Sequence, residues 1–90
     1  MVKYGNLIKN WGVNNTTTIK EFKKEHIKLG DTITKIRNSK KMTQEDLADK
    51  AKINVSYLAK IENAYINTSV RYLIKIARGL QVPVKDLFEF

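Results

Sequence analysis

A reactive centre needs a nucleophile beside a base, or ligands converging on a metal, and this 90-residue chain offers little of either. It has one histidine, His26, and no cysteine, so neither a Cys–His pair nor a Cys-based zinc site can be assembled from it. It carries no glycine-rich phosphate loop. The acids Glu45, Asp46 and Asp49 crowd into one short helical pattern, where they read as surface charges and partners of the helix's positive end. No catalytic residue, metal or other cofactor is therefore assigned. What remains is charge. Seventeen Lys and Arg oppose nine Asp and Glu, for a formal net charge of +8 and a pI near 9.8, which favours a polyanionic partner: nucleic acid or an acidic membrane surface.

The element that would present such charge is the stretch 44–63, QEDLADKAKINVSYLAKIEN. Leu47, Ala48 and Ala51 give one short helix a small, apolar face, and Leu58 and Ile61 do the same for a second, across a break of a few residues. Asn54 stands where an N-cap belongs, its side-chain oxygen able to accept from an orphan backbone N–H, and Thr43 offers the same to the first helix. Two helices joined so tightly cross steeply, which is the geometry of a helix-turn-helix.

Around this motif the chain divides simply. Residues 1–17 contain two glycines, an Asn-Asn pair and a Thr run, and read as turns and loop, with Tyr4, Leu7, Ile8 and Trp11 apolar enough to dock. Thr18 and Glu21 form a capping box that starts a helix, followed by an apolar stripe at Ile19, Phe22, Leu29, Ile33 and Ile36 with His26 as its polar step. Gly30 interrupts the stripe at a cost of about 1 kcal/mol relative to Ala, which favours two helical pieces breaking near residues 28–30 over one continuous helix. Ser69 caps a later helix whose apolar face is Val70, Leu73, Ile74, Ala77 and Leu80, with Gly79 and Pro83 marking its end. No stretch approaches the roughly 18 apolar residues of a membrane span, and the N-terminus has no apolar signal run, so a soluble cytoplasmic protein is expected.

Three pieces, LGDTITKIRNSKKMTQEDLADKAKI, SYLAKIEN and NTSVRYLIKIARGLQVPVKDLF, together resemble the phage-repressor/Cro-like (xenobiotic response element) helix-turn-helix family of transcriptional regulators, over about residues 29–88. The resemblance implies an all-α fold: a compact five-helix domain at 29–90, with residues 1–28 as an N-terminal extension. It implies sequence-specific binding to double-stranded DNA, with the recognition helix at about 54–63 in the major groove. Position by position, the base-reading residues would be Val55 against a thymine methyl, Ser56 toward several bases, and Lys60 toward the O6 and N7 of guanine. Thr43, Gln44, Asn54, Tyr57 and Asn63 would approach the DNA backbone and set register, with capping an equal alternative for Thr43 and Asn63. Arg37 and Glu62 match a structural ion pair that holds the recognition helix.

The family pattern is not matched everywhere. Lys52 stands where glycine is usual in the turn, Ala64 where glycine is common, and Thr68 where proline is usual. Family members act as two-fold dimers, and the apolar end of the chain (Val84, Leu87, Phe88, Phe90) is the expected homodimer surface, unless it caps the monomer's own core. The VPxxxLF ending is also similar to small controllers of restriction–modification operons. The rival expectation is an antitoxin or other protein-interaction module, with residues 1–28 covering a protein partner. Six lysines and two glutamates in that segment fit a basic arm on DNA equally well.

Overall fold

The computed structural model describes residues 15–90, with side chains from Phe22 onward. Tyr4, Leu7, Ile8 and Trp11, and the side chains of Thr18, Ile19 and Glu21, lie outside the described residues. The elements are α1 (Asn15–Ser39), α2 (Gln44–Ala51), α3 (Val55–Glu62), α4 (Val70–Leu80) and a 3-10 helix (Val84–Phe88), with no strand among the described residues. Among the described residues there are thus four α-helices, and the last helical turns of the chain are wound as 3-10 instead of α. Five residues behind Pro83 are too few to nucleate an α-helix, and the tighter i→i+3 winding suits so short a run.

Two further expectations are corrected. The first concerns α1, which is one helix of 25 residues, running unbroken through Gly30 and beginning at Asn15 instead of Thr18. The propensity cost of glycine is outweighed by packing: a Cβ at Gly30 would lie 2.3 Å from the Glu62 carbonyl oxygen, so the bare Cα is what lets α1 rest on the end of α3. The second concerns α4. Its buried face is Leu73, Ile76, Ala77, Gly79 and Leu80, whereas Val70 (70% exposed) and Ile74 (38%) face outward. At 100° per residue, Ile76 lies about 60° from Leu73 and about 40° from Leu80 on the core side, whereas Ile74 is turned about 100° the other way.

The core gathers Leu29 and Ile33 of α1, Leu47, Ala48 and Ala51 of α2, Leu58 and Ile61 of α3, the α4 face, and Leu87 of the 3-10 helix. Ile33, Leu47, Leu58, Ile76, Leu80 and Leu87 are fully enclosed, each stabilising the fold by about 1.5–3 kcal/mol. Hydrogen-bonded caps fix where the short helices begin. Thr43 and Asp46 form a reciprocal capping box: the Asp46 N–H donates to Thr43 Oγ1 (3.0 Å) and the Thr43 N–H donates to Asp46 Oδ2 (2.9 Å). Asn54 Oδ1 accepts from the Ser56 and Tyr57 N–H groups (2.8 and 3.1 Å), and Ser69 Oγ accepts from the Tyr72 N–H. At the far ends the chain leaves in the left-handed region without glycine, at Lys41, Lys52, Ala64 and Gln81, with φ of 57–60°.

Candidate nucleic-acid interface

The position of α3 is set by one carboxylate. Glu62, its last helical residue, is buried (7% exposed) and collects donors from two other helices. Arg37 of α1 meets it side-on, Nε to Oε2 at 2.8 Å and Nη2 to Oε1 at 3.0 Å, the forked geometry in which guanidinium and carboxylate pair most strongly. Thr34 Oγ1 lies 3.0 Å from Oε1 and 2.9 Å from the Gly30 carbonyl, so one hydroxyl proton serves two acceptors. From α2, Gln44 Nε2 donates to Oε1 at 3.0 Å. Arg37 Nη1 also donates to the Met42 carbonyl (2.8 Å), tying the α1–α2 connection to the same node. Both helices of the motif are thereby locked to α1. Such a buried charge is tolerable only because every oxygen is satisfied, and removing one partner of a buried pair costs about 3–5 kcal/mol.

With one side of α3 held inward by Leu58, Ile61 and Glu62, the opposite side is exposed among the described residues. Ser56 and Lys60 are exposed and four residues apart, hence on one face, and Val55 is exposed at the leading turn. All three sequence-designated base readers thus stand on the outward side of the motif.

The residues designated for the DNA backbone are placed differently from one another. Asn54 is exposed, with its side chain committed to the cap of α3. Thr43 is exposed, with its hydroxyl in the capping box. Hydrogen bonds from the Thr43 N–H and then its hydroxyl, with Lys50 adding a smaller pull, hold the Asp46 carboxyl below the ordinary aspartate range. Gln44 is half-buried and has given one of its two amide protons to Glu62, leaving one for any outside acceptor. Asn63 folds back, its Nδ2 donating to the Ala59 carbonyl at 2.9 Å. Tyr57 packs on the core and on Tyr72, with ring centroids 4.5 Å apart, joining α3 to α4.

The roles of Thr34 and Gln44 toward Glu62, and of Tyr72 behind Tyr57, were not legible in the chain. The partners of Glu62 lie 18, 25 and 28 residues away, a separation at which spacing carries no signal. At the C-terminus, Val84, Phe88 and Phe90 are exposed, but Leu87 is not. Leu87 corrects the expected homodimer surface: it is fully enclosed in this chain's own core and has nothing left to offer a second copy. The Thr68 hydroxyl, in the place of the family's proline, is buried with no hydrogen-bond partner. Among the described residues, no group of acids, His or Cys could hold a metal, and no helix is long and apolar enough to cross a membrane.

Comparison with known proteins adds four findings. The chain matches the helix-turn-helix family model over residues 33–87. It is 41% identical over 59 residues to the immunity repressor protein of Bacillus phage phi105, a match covering 66% of this chain but 41% of the repressor. It is 37% identical over 63 residues to the control protein C.BamHI of Bacillus amyloliquefaciens, covering 69% of this chain and 78% of that protein. Among solved structures, the restriction-modification controller protein C.AhdI from Aeromonas hydrophila superposes with a TM-score of 0.68 at 29% identity, over 69% of this chain and 94% of that one.

Proposed function

The chain belongs to the helix-turn-helix family, and from that premise we propose that it is a sequence-specific, double-stranded-DNA-binding transcriptional regulator of the repressor or controller kind. In this reading residues 29–90 are the DNA-binding domain and α3 enters the major groove. Val55, Ser56 and Lys60 read base edges, and Thr43, Gln44, Asn54, Tyr57 and Asn63 lie along the flanking phosphates. The observation that carries the reading is the division of α3. Its inner side is immobilised through Glu62, while Ser56 and Lys60 stand together on the outer side, exposed among the described residues. A base-reading side chain must be held in register by something that does not itself touch DNA, and Arg37 and Thr34 do that here.

We further propose that two copies bind an inverted repeat, joined through Val84, Phe88 and Phe90. Exposed phenylalanines adjoining one another, with ring centroids 6.3 Å apart, suit a contact that a second copy would cover. The setting is the cytoplasm, where the DNA is.

The test is selection from random duplexes followed by affinity measurement at two salt concentrations. The expected outcome is an enriched inverted repeat with half-sites about one helical turn apart. Lys60→Ala should relax the preference at one position per half-site, by about 1–3 kcal/mol, and leave the melting temperature unchanged. Binding without enrichment, with affinity that only collapses as salt rises, would leave non-specific charge attraction in place of regulation.

A further inference from the structure

Beyond residue 29 toward the N-terminus, α1 continues past the part of the chain that the family model covers. Because Gly30 seats α1 directly on the last carbonyls of α3, this extra length passes beside the loop that follows the recognition helix. The two enclose a cleft of about 260 Å³, lined on one side by Phe22, Lys23 and His26 and on the other by residues 64–67.

The cleft's charge is one-sided. Lys23 brings an ammonium group with no ion-pair partner among the described residues. Tyr65, 76% exposed, contributes a phenolic hydroxyl, Asn67 a carboxamide and His26 an imidazole ring. The loop turns at Ala64 through φ of 59°, and the backbone N–H groups of Ile66 and Asn67 have no backbone acceptor among the described residues. No carboxylate lines the cleft. A cation and several polar side chains, set on apolar walls in a concavity without a carboxylate, favour a small polyvalent oxyanion over a cationic ligand.

We propose that this cleft binds a backbone phosphate of the operator outside the base pairs that α3 reads, so that the extra length of α1 acts as a phosphate clamp with Lys23 as its cation. The proposal rests on the DNA-binding reading above and adds to it a contact made by an element outside the helix-turn-helix. It accounts for why the added helix stays continuous with α1: a rigid rod resting on α3 places Lys23 in fixed register with the recognition helix. A break at residues 28–30 would lose that register.

The experiment uses the full chain and the duplex obtained by selection. Lys23→Ala and Asn67→Ala are compared with Lys24→Ala, a control at the next exposed residue of α1, outside the cleft. Lys23→Ala should reduce the slope of log affinity against log salt by about 0.9 per bound chain and leave the selected sequence unchanged. Ethylation of single phosphates should reveal one per half-site that blocks the wild type but not Lys23→Ala, with Asn67→Ala weakening sensitivity at the same phosphate. The clamp is refuted if Lys23→Ala keeps the wild-type slope and ethylation pattern, or if Lys24→Ala lowers the slope as much. In both cases operator selection by the wild type leaves the regulatory reading standing. Failure of the wild type to select any site would remove that reading and the clamp with it.

Discussion

Replacing Gly30 by alanine tests the packing argument with a result whose sign is in dispute. In an ordinary exposed helix the change is stabilising by about 1 kcal/mol, because alanine has the better helix propensity. Here the new Cβ would stand 2.3 Å from the Glu62 carbonyl oxygen and 2.9 Å from the Glu62 carbonyl carbon and the Ile61 oxygen, where ordinary contact begins near 3.4 Å. The obstacle is backbone, not the tip of a flexible side chain, so α1 and α3 must part by about an ångström. That separation acts on the bonds joining the same helices: Arg37 and Thr34 to Glu62, at 2.8–3.0 Å. Overpacking costs about 1–3 kcal/mol, and stretched bonds to a buried carboxylate add to it, so a net loss of about 2–4 kcal/mol is expected after the propensity gain. In a domain of this size each kcal/mol moves the melting temperature by about 4–8 °C, so thermal and urea unfolding followed by circular dichroism resolve the effect. Operator affinity should fall as well, since the parted helix is the one that carries Lys60. A variant as stable as the wild type, or more so, would refute the claim that the α1–α3 contact needs a bare Cα.

Three other outcomes follow from particular contacts. Arg37→Ala should lower stability by about 3–5 kcal/mol by stranding the Glu62 carboxylate, and Arg37→Ala/Glu62→Leu should recover part of that loss, as a double-mutant cycle in urea would measure. Lys52→Gly should raise stability by about 1 kcal/mol, because φ of 58° strains a side chain and not a glycine, and its melting temperature checks this directly. Acid should weaken the start of α2. The Asp46 carboxyl is held down by Thr43 in the folded chain, so its contribution is complete above the ordinary aspartate range and fades as pH falls through the lowered folded value. Asp46→Asn should narrow its gap to the wild type over that acid window alone, seen in urea midpoints taken across pH.

What was legible in the chain, and what was not, divides along a physical line. Leu47, Ala48, Ala51, Leu58 and Ile61 are buried where helical spacing put them, and Thr43, Asn54 and Ser69 cap the helices they precede. These are local facts: periodicity and capping involve residues within four positions of each other, so the order of residues contains them. The role of Gly30 is not legible in the sequence because its value is space, and the atoms that occupy the space belong to Glu62, 32 residues on. Nor does the sequence separate Ile76 from Val70 and Ile74, because apolar character says that a residue can be buried, not which way its neighbour lies. Leu87 parts from Phe88 for a related reason. In a 3-10 helix successive residues turn by about 120°, so adjacent apolar side chains cannot share a face, and the core takes one. The site shows the same division. A helix-turn-helix and its outward residues are a local pattern. Glu62 with donors from α1 and α2 is an assembly of distant parts, and it is this assembly that turns an exposed Ser56 and Lys60 into side chains held at a fixed place on a surface.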